Sequence, residues 1–321
     1  MAFDADLIAD RRRLRRKLTF WRVMAFLVAV LAIGTAGFVW SGRAGLAGTG
    51  QQIARVSVSG LITGDQRTTE LLKRVGESSA VRGVVITINS PGGTTSGSEE
   101  LFQGIRELAS KKPTVAFVDG LAASGGYITA LAADRIVARE TALVGSIGVL
   151  FQYPDFSTLL GKVGVSVEAV KSSPLKAEPS GFHKPPPEAI AALQSVVNDT
   201  FTWFKGLVAE RRGISGDQLN TVSDGRIFSA RQGLPLKLVD QLGSERDAIA
   251  WLEREKSVPA KLPVRDWKPR ESSRFSLWSL AAFGADLAGF EELAASIRSA
   301  ALGTAKLDGL LALWQPRATD R

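Results

Sequence analysis

The strongest constraint on this chain is an alternation between strand-like and helix-like segments. Short β-branched runs recur as I-A-R-V-S-V-S (53–59), G-V-V-I-T-I (83–88), T-V-A-F-V (114–118), R-I-V-A (135–138) and V-S-V-E-A-V (165–170). Between them, 66–76, 97–110, 124–133 and 154–162 read as helices, several opening after Ser, Gly or Pro. The pattern predicts an α/β layered fold of repeated β-α units. A long helix is predicted over 188–211, opening after P-P-P and stopped near Gly213, with shorter helices at 229–236 and 244–256. With 321 residues, 45% of them hydrophobic, the chain can build a sizeable core. It contains no internal repeat.

A different pattern precedes this region. Residues 1–22 carry seven Arg or Lys (Arg11, Arg12, Arg13, Arg15, Arg16, Lys17, Arg22) against three Asp, a surplus of +4 out of the chain's net +8. Residues 23–40 carry no charge, and Trp21 and Trp40 flank the run. A helix over 20–40 is about 31 Å long, enough to cross a hydrocarbon core of about 30 Å. The expectation is a basic cytoplasmic segment (1–19) and a transmembrane anchor (20–40). A flexible glycine-rich linker (41–52) then leads to a domain on the far, extracytoplasmic side of that membrane. A cleaved signal peptide is the alternative use, although an apolar run of 18 exceeds the usual length for one. A buried core helix is disfavoured by the arginines directly before it.

Composition removes several chemistries. The chain has no cysteine, so thiolate catalysis, thiolate metal sites and disulfides are excluded, and one histidine, His183, rules out a multi-histidine metal centre. The basic surplus is partly concentrated at one end, which points to membrane topology and away from nucleic acid. No cofactor or metal is expected.

Three features carry candidate chemistry. In I-T-I-N-S-P-G-G (86–93) an apolar strand runs into a glycine pair, where backbone N–H groups can face a developing negative charge. It is not a dinucleotide fingerprint, because G-x-G-x-x-G is absent. In D-G-L-A-A-S-G-G-Y-I (119–128) a strand leads through small residues to Ser124 at a helix start. Ser124 is there either a nucleophile or an N-cap worth about 1 kcal/mol. G-x-S-x-G is not matched. The third feature is a base for that serine. His183 lies in an irregular loop, and V-K-S-S-P-L-K-A-E offers Lys171 and Lys176. His183 reads as a solvated loop residue more than as a base; a lysine base must be held partly neutral, below the usual value of about 10.4, and composition does not choose between Lys171 and Lys176.

The five pieces I-N-S-P-G-G (88–93), A-A-S-G-G-Y (122–127), G-S-I-G-V (145–149), K-S-S-P-L-K (171–176) and G-R-I-F-S-A-R-Q-G-L-P-L-K-L-V-D (225–240) occur in an order that resembles the signal peptide peptidase A family of serine proteases, peptidase family S49. The resemblance covers about residues 53–250 and implies a Clp/crotonase-like fold, with the peptidase domain at 53–258. It assigns the nucleophile to Ser124 and the general base to Lys176, with Ser146 orienting the lysine and the N–H of Gly93 in the oxyanion hole. Asn89, Gly92 and Gly125 support that site. It also implies membrane-derived peptides as substrates, notably signal peptide remnants, and a homo-oligomeric ring or dome whose neighbours complete each site. The sequence departs from the family's K-S-G-x-x-K-D at Ser173, Pro174 and Ala177. Residues 259–321 lie outside the resemblance: 259–275 are proline-rich and basic, and 276–315 read as amphipathic helices packing on a neighbour or on the membrane surface. Two readings compete with the dyad: an inactive homologue acting as an anchored scaffold or binding module, and a related membrane peptidase with one specific protein substrate. A crotonase-type acyl-coenzyme A enzyme leaves both the anchor and the Ser124 and Lys176 pair unexplained.

Overall fold

The computed structural model describes residues 17–28, 50–269 and the backbone of 310–313. Residues 17–28 form an exposed helix, α1. The rest of the expected 20–40 span lies outside the described residues, and among the described residues no helix is long and apolar enough to cross a membrane.

The body of the chain follows the order β1 (Gln52–Ile62), α2 (Gln66–Glu77), β2 (Val81–Thr94), α3 (Thr95–Lys111), β3 (Thr114–Ala123), α4 (Gly125–Leu131), β4 (Arg135–Ala138), β5 (Leu143–Gly145), β6 (Leu150–Phe151), α5 (Ser157–Lys162), α6 (Pro187–Arg212), α7 (Gly216–Val222), β7 (Ile227–Ser229), α8 (Ala230–Gly233), β8 (Gln241–Leu242), α9 (Glu245–Glu255), β9 (Val264–Trp267) and β10 (Leu310–Leu313). A parallel core runs β9-β1-β2-β3-β4-β8. β5 joins β3 in parallel and β7 pairs antiparallel with β5. β10 lies antiparallel to both β2 and β6.

Strands of a parallel sheet are covered on both faces, and their side chains alternate between two layers. Val84, Ile86 and Ile88 of β2, with Ala116 and Val118 of β3, pack with Leu71, Val75, Ile105, Leu108, Ile128 and Phe204. Val85, Val115, Phe117 and Val137 point the other way, onto Ala248, Trp251, Leu252 and Val258. Each such aliphatic or aromatic side chain contributes about 1.5–3 kcal/mol when fully buried. The strand ends that these layers fix are where β2 and β3 deliver their glycine-rich turns.

The structure departs from the sequence reading at V-S-V-E-A-V, which forms no strand. Val163, Val165, Val167 and Val170 are exposed, Val170 completely, so the alternation finds no face to bury and no ladder partner. The short strands β5 to β8 were not expected. β9 emerges from the proline-rich stretch to extend the sheet beside β1, and 310–313, read as helical, is extended. The long α6 agrees with its expected span and ends at Gly213, whose φ of 61° suits a left-handed cap.

Candidate active site

The end of β2 is shaped by its glycines. Ser90 Oγ donates to the Gly60 carbonyl at 2.7 Å and accepts the Gly92 N–H at 3.1 Å, which folds the strand end into a turn. Gly92 adopts a φ of 103°. Gly93 lies so close to β1 that a Cβ there falls 1.8 Å from the Ile62 carbonyl oxygen. Only glycine fits both positions.

The turn between β3 and α4 packs directly on that loop, since a Cβ at Gly126 would lie 2.6 Å from the Ser90 carbonyl oxygen. Ser124, only 1% exposed, takes φ 53° and ψ −116°, a conformation that glycine favours and that costs other residues roughly 1–3 kcal/mol. Its N–H donates to the Gly145 carbonyl at 2.8 Å, and its own carbonyl accepts from Tyr127 and Ile128 at 2.8 and 3.0 Å. Its hydroxyl makes no cap bond, and its one acceptor is the Gly148 carbonyl at 3.5 Å. The N-cap alternative is thereby removed, because the backbone is held in a strained geometry and the oxygen stays loosely engaged. Gly125 opens α4, so its N–H has no acceptor within the helix.

β5 completes the cradle. Its last residue, Gly145, pairs with Ala123, and the next, Ser146, again has a positive φ, 52°. Ser146 is buried, and its N–H donates to the Arg226 carbonyl at 2.8 Å, which ties it to the turn before β7. The bonds from Ser124 to Gly145 and Gly148 therefore bracket Ser146. Asn89 is exposed, and its side-chain oxygen lies over Gly120 of β3.

Lys176 is exposed and lies on a loop of turns. Among the described residues no hydrogen bond or ion pair joins its side chain to Ser124, to Ser146 or to any other group. The loop itself is compact. The Lys176 N–H donates to the Ser173 carbonyl at 3.1 Å and the Glu178 N–H to the Leu175 carbonyl at 3.3 Å. Across its base the Lys171 ammonium binds the Glu178 carboxylate, whose side chain is 2% exposed. His183 Nε2 approaches the same carboxylate oxygen at 3.1 Å, so the histidine weighed as a base serves the loop. The Lys171 ammonium holds the Glu178 carboxyl below its usual range, against desolvation and with help from His183. Gly181 then binds the loop's far end to the chain before α5 through its carbonyl and the Phe156 N–H, at 2.8 Å. Sequence reasoning missed Glu178, whose only signal was an acidic residue seven positions after a lysine inside a motif.

A cleft of about 260 Å³ opens at the end of β1 between α2 and α3, lined by Ser57, Ile62, Thr63, Asp65, Thr68 and Glu100 among others. It reaches the site only indirectly, through the pairing of Ile62 with Gly93, and contains neither Ser124 nor Lys176. The described residues contain no cluster of acidic or histidine side chains able to hold a metal ion.

A buried, strained serine set against a glycine-pair loop defines the class of a serine hydrolase. The sequence profile of peptidase family S49 matches residues 106–259. A protein of Methanocaldococcus jannaschii that carries a protease name is 38% identical over 188 residues, 59% of this chain and 60% of that protein. A protease-named protein of Synechocystis sp. is 37% identical over 205 residues, 63% of this chain and 74% of its own. A protein of Enterococcus faecium named as a signal peptide peptidase is 34% identical over 222 residues, 65% of this chain and 64% of its own. The chain belongs to peptidase family S49. The match spans less than two thirds of the first and third of these relatives' lengths.

Proposed function

We propose that this chain is a membrane-anchored serine endopeptidase that degrades signal peptide remnants or other apolar membrane-associated peptides, with Ser124 as nucleophile and Lys176 as general base. One observation carries the reading: Ser124 is held in a strained backbone geometry that leaves its hydroxyl outside any cap. Its Oγ attacks the peptide carbonyl carbon as its proton passes to the neutral Lys176 amine. The N–H groups of Gly93 and Gly125 receive the oxyanion. The C–N bond breaks as the leaving amine takes the lysine's proton, and water, activated by the same lysine, then hydrolyses the acyl-enzyme. Ser146 orients the lysine, and the anchor at 20–40 holds enzyme and peptide at one extracytoplasmic surface.

The exposed Lys176 requires a further element, which is a neighbouring subunit. Phe156, Leu159, Val163, Val165, Val170 and Leu175 are all exposed, and so are Ile190 and Val196 on the first half of α6. A surface that apolar, running through the lysine loop, supports a homo-oligomer whose packing seats the loop. The lack, among the described residues, of any hydrogen bond between the Lys176 amine and Ser124 also favours a second reading, an inactive scaffold. The test is hydrolysis of a fluorogenic apolar peptide by the detergent-solubilised chain. Activity lost in both Ser124→Ala and Lys176→Met supports the dyad. Activity surviving either substitution sinks it, and no activity in the unaltered chain supports the scaffold.

A further inference from the structure

Just before the glycine pair, β2 loses register with both of its parallel neighbours around Ser90. Between the pairs Ser59–Asn89 and Leu61–Gly92, β1 offers only Gly60 opposite Ser90 and Pro91. Between Ile88–Val118 and Ser90–Ala122, β3 offers Asp119, Gly120 and Leu121 opposite Asn89 alone. A bulge disrupts the ladder and bends the strand beyond it, so the direction of the glycine turn must be fixed by something other than the ladder. Ser90 is placed to fix it. It is fully buried, and its hydroxyl works in both directions across the bulge: the O–H donates to the Gly60 carbonyl at 2.7 Å, and the oxygen accepts the Gly92 N–H at 3.1 Å. Pro91 has no N–H, so Gly92 is the first residue past Ser90 that can donate back. With the Gly92 N–H committed, the oxyanion role within the pair falls to Gly93. The Ser90 carbonyl also packs on the Ser124 turn, 2.6 Å from where a Cβ at Gly126 would stand.

We propose that Ser90 is a positioning residue: by clipping the β1 bulge to the Gly92 turn, it sets the direction in which the Gly93 N–H faces the oxyanion. The inference rests on the reading of Ser124 as nucleophile and Gly93 as donor, and adds what aims that donor. The Gly93 N–H belongs to the peptide that joins the two glycines, and neither glycine has a Cβ to restrict its rotation. Gly92 is held at a φ of 103°, and the described bond that fixes its N–H there is the one to Ser90. A donor turned away from its acceptor loses strength steeply once the angle at hydrogen falls below about 120°. The oxyanion exists in the tetrahedral intermediate and not in the bound substrate, so a misaimed donor slows the chemical step and leaves substrate binding as it was.

Ser90→Ala in the full-length, detergent-solubilised chain removes the clip. On a fluorogenic apolar peptide, kcat is expected to fall about 10–100-fold, part of the roughly 10²–10³ that loss of a whole oxyanion donor costs, with KM within about twofold. Inhibition constants separate aim from folding, because they do not depend on how much of the protein is folded. A peptide aldehyde, which adds to the Ser124 hydroxyl and places an oxygen in the hole, should bind about 10–100-fold more weakly. The matching peptide alcohol, which forms no adduct, should bind as before. Hydrogen exchange should show the Gly92 amide losing protection while the amides of β3 keep theirs. The proposal is overturned by a kcat that falls only in step with the folded fraction, by an unmoved aldehyde constant, or by a rise in KM in place of the fall in kcat. An alanine variant that does not fold at all overturns it too, since Ser90 would then be a residue of the fold and not of the site. Hydrolysis that is absent from the unaltered chain, or that survives Ser124→Ala, removes the nucleophile reading and this role with it. Ser124-dependent hydrolysis that Ser90→Ala leaves unchanged removes the role of Ser90 alone.

Discussion

Ser124→Gly is expected to stabilise the fold while abolishing hydrolysis, and the size of the gain follows from the backbone. With φ at 53° and ψ at −116°, the serine carries roughly 1–3 kcal/mol of conformational strain that glycine does not. Glycine's larger freedom in the unfolded chain returns about 0.4–1 kcal/mol of that gain. The lost hydroxyl gives up only the contact with Gly148 at 3.5 Å, too long to be worth much. The net is about 1 kcal/mol, or roughly 2–4 °C in Tm for a domain of this size. Ser124→Ala keeps a Cβ and therefore the strain, and should unfold with the unaltered protein. The assay is thermal denaturation of the three proteins at equal concentration in one detergent, beside hydrolysis of an apolar peptide. A glycine variant that melts below the alanine variant refutes the strain argument, since packing around the side chain would then outweigh the backbone term.

Gly93→Ala should destabilise by about 1–3 kcal/mol or more and abolish hydrolysis, because its methyl would stand 1.8 Å from the Ile62 carbonyl oxygen and force β1 off β2; urea denaturation shows whether it does. The Glu178 carboxyl is held below its unfolded value, so its contribution to loop order is present above about pH 4.3 and is lost as pH falls through the folded value. Protection of the amides across 171–183, taken relative to their intrinsic exchange rates at each pH, should therefore fall in acid, and Glu178→Gln should show the lower protection at neutral pH as well. Val163→Asp with Val170→Asp should shift sedimentation toward smaller species without changing Tm at high dilution, because both side chains are exposed in the single chain.

The buried strands were legible because a parallel sheet needs continuous β-branched runs, and the runs predicted for β1 to β4 lie within the observed strands or coincide with them. The short strands β5 to β8 were not, since two or three residues carry no period, and their pairing is imposed by neighbours: β3 for β5, β5 for β7, β4 for β8 and β10 for β6. V-S-V-E-A-V has a strand's alternation without a strand's neighbour, so local pattern and tertiary fate diverge. At the site, glycine spacing marked where the backbone turns, but the positive φ of Ser124 and Ser146 follows from ties to Gly145 and Arg226 that no local window contains. The pairing of Lys171 with Glu178 lies inside one short window, but an irregular loop has no period that would bring the two side chains together in the sequence pattern.

These differences sort by what holds each residue. Ser124, Gly93 and Ser146 are fixed by buried strands of their own chain, so a single subunit preorganises the groups to which the proposed mechanism gives the roles of nucleophile and oxyanion donor. Lys176 is held only locally among the described residues: two turns and the pairing of Lys171 with Glu178 keep its loop compact, and none of the described hydrogen bonds or ion pairs ties its side chain to the serine. A compact loop beside the exposed Phe156, Leu159, Val163 and Val170 is what a surface needs if it is to dock as a unit. Loosening it should therefore damage catalysis without unfolding the sheet. Glu178→Gln is predicted to lower kcat while leaving the Tm of the domain within about 1 °C, because the ion pair lies in the loop and outside both layers of the core. A fall in Tm that matches the fall in kcat would instead place the loop inside the cooperative fold and end the argument that assembly, and not the chain itself, brings the base to the serine.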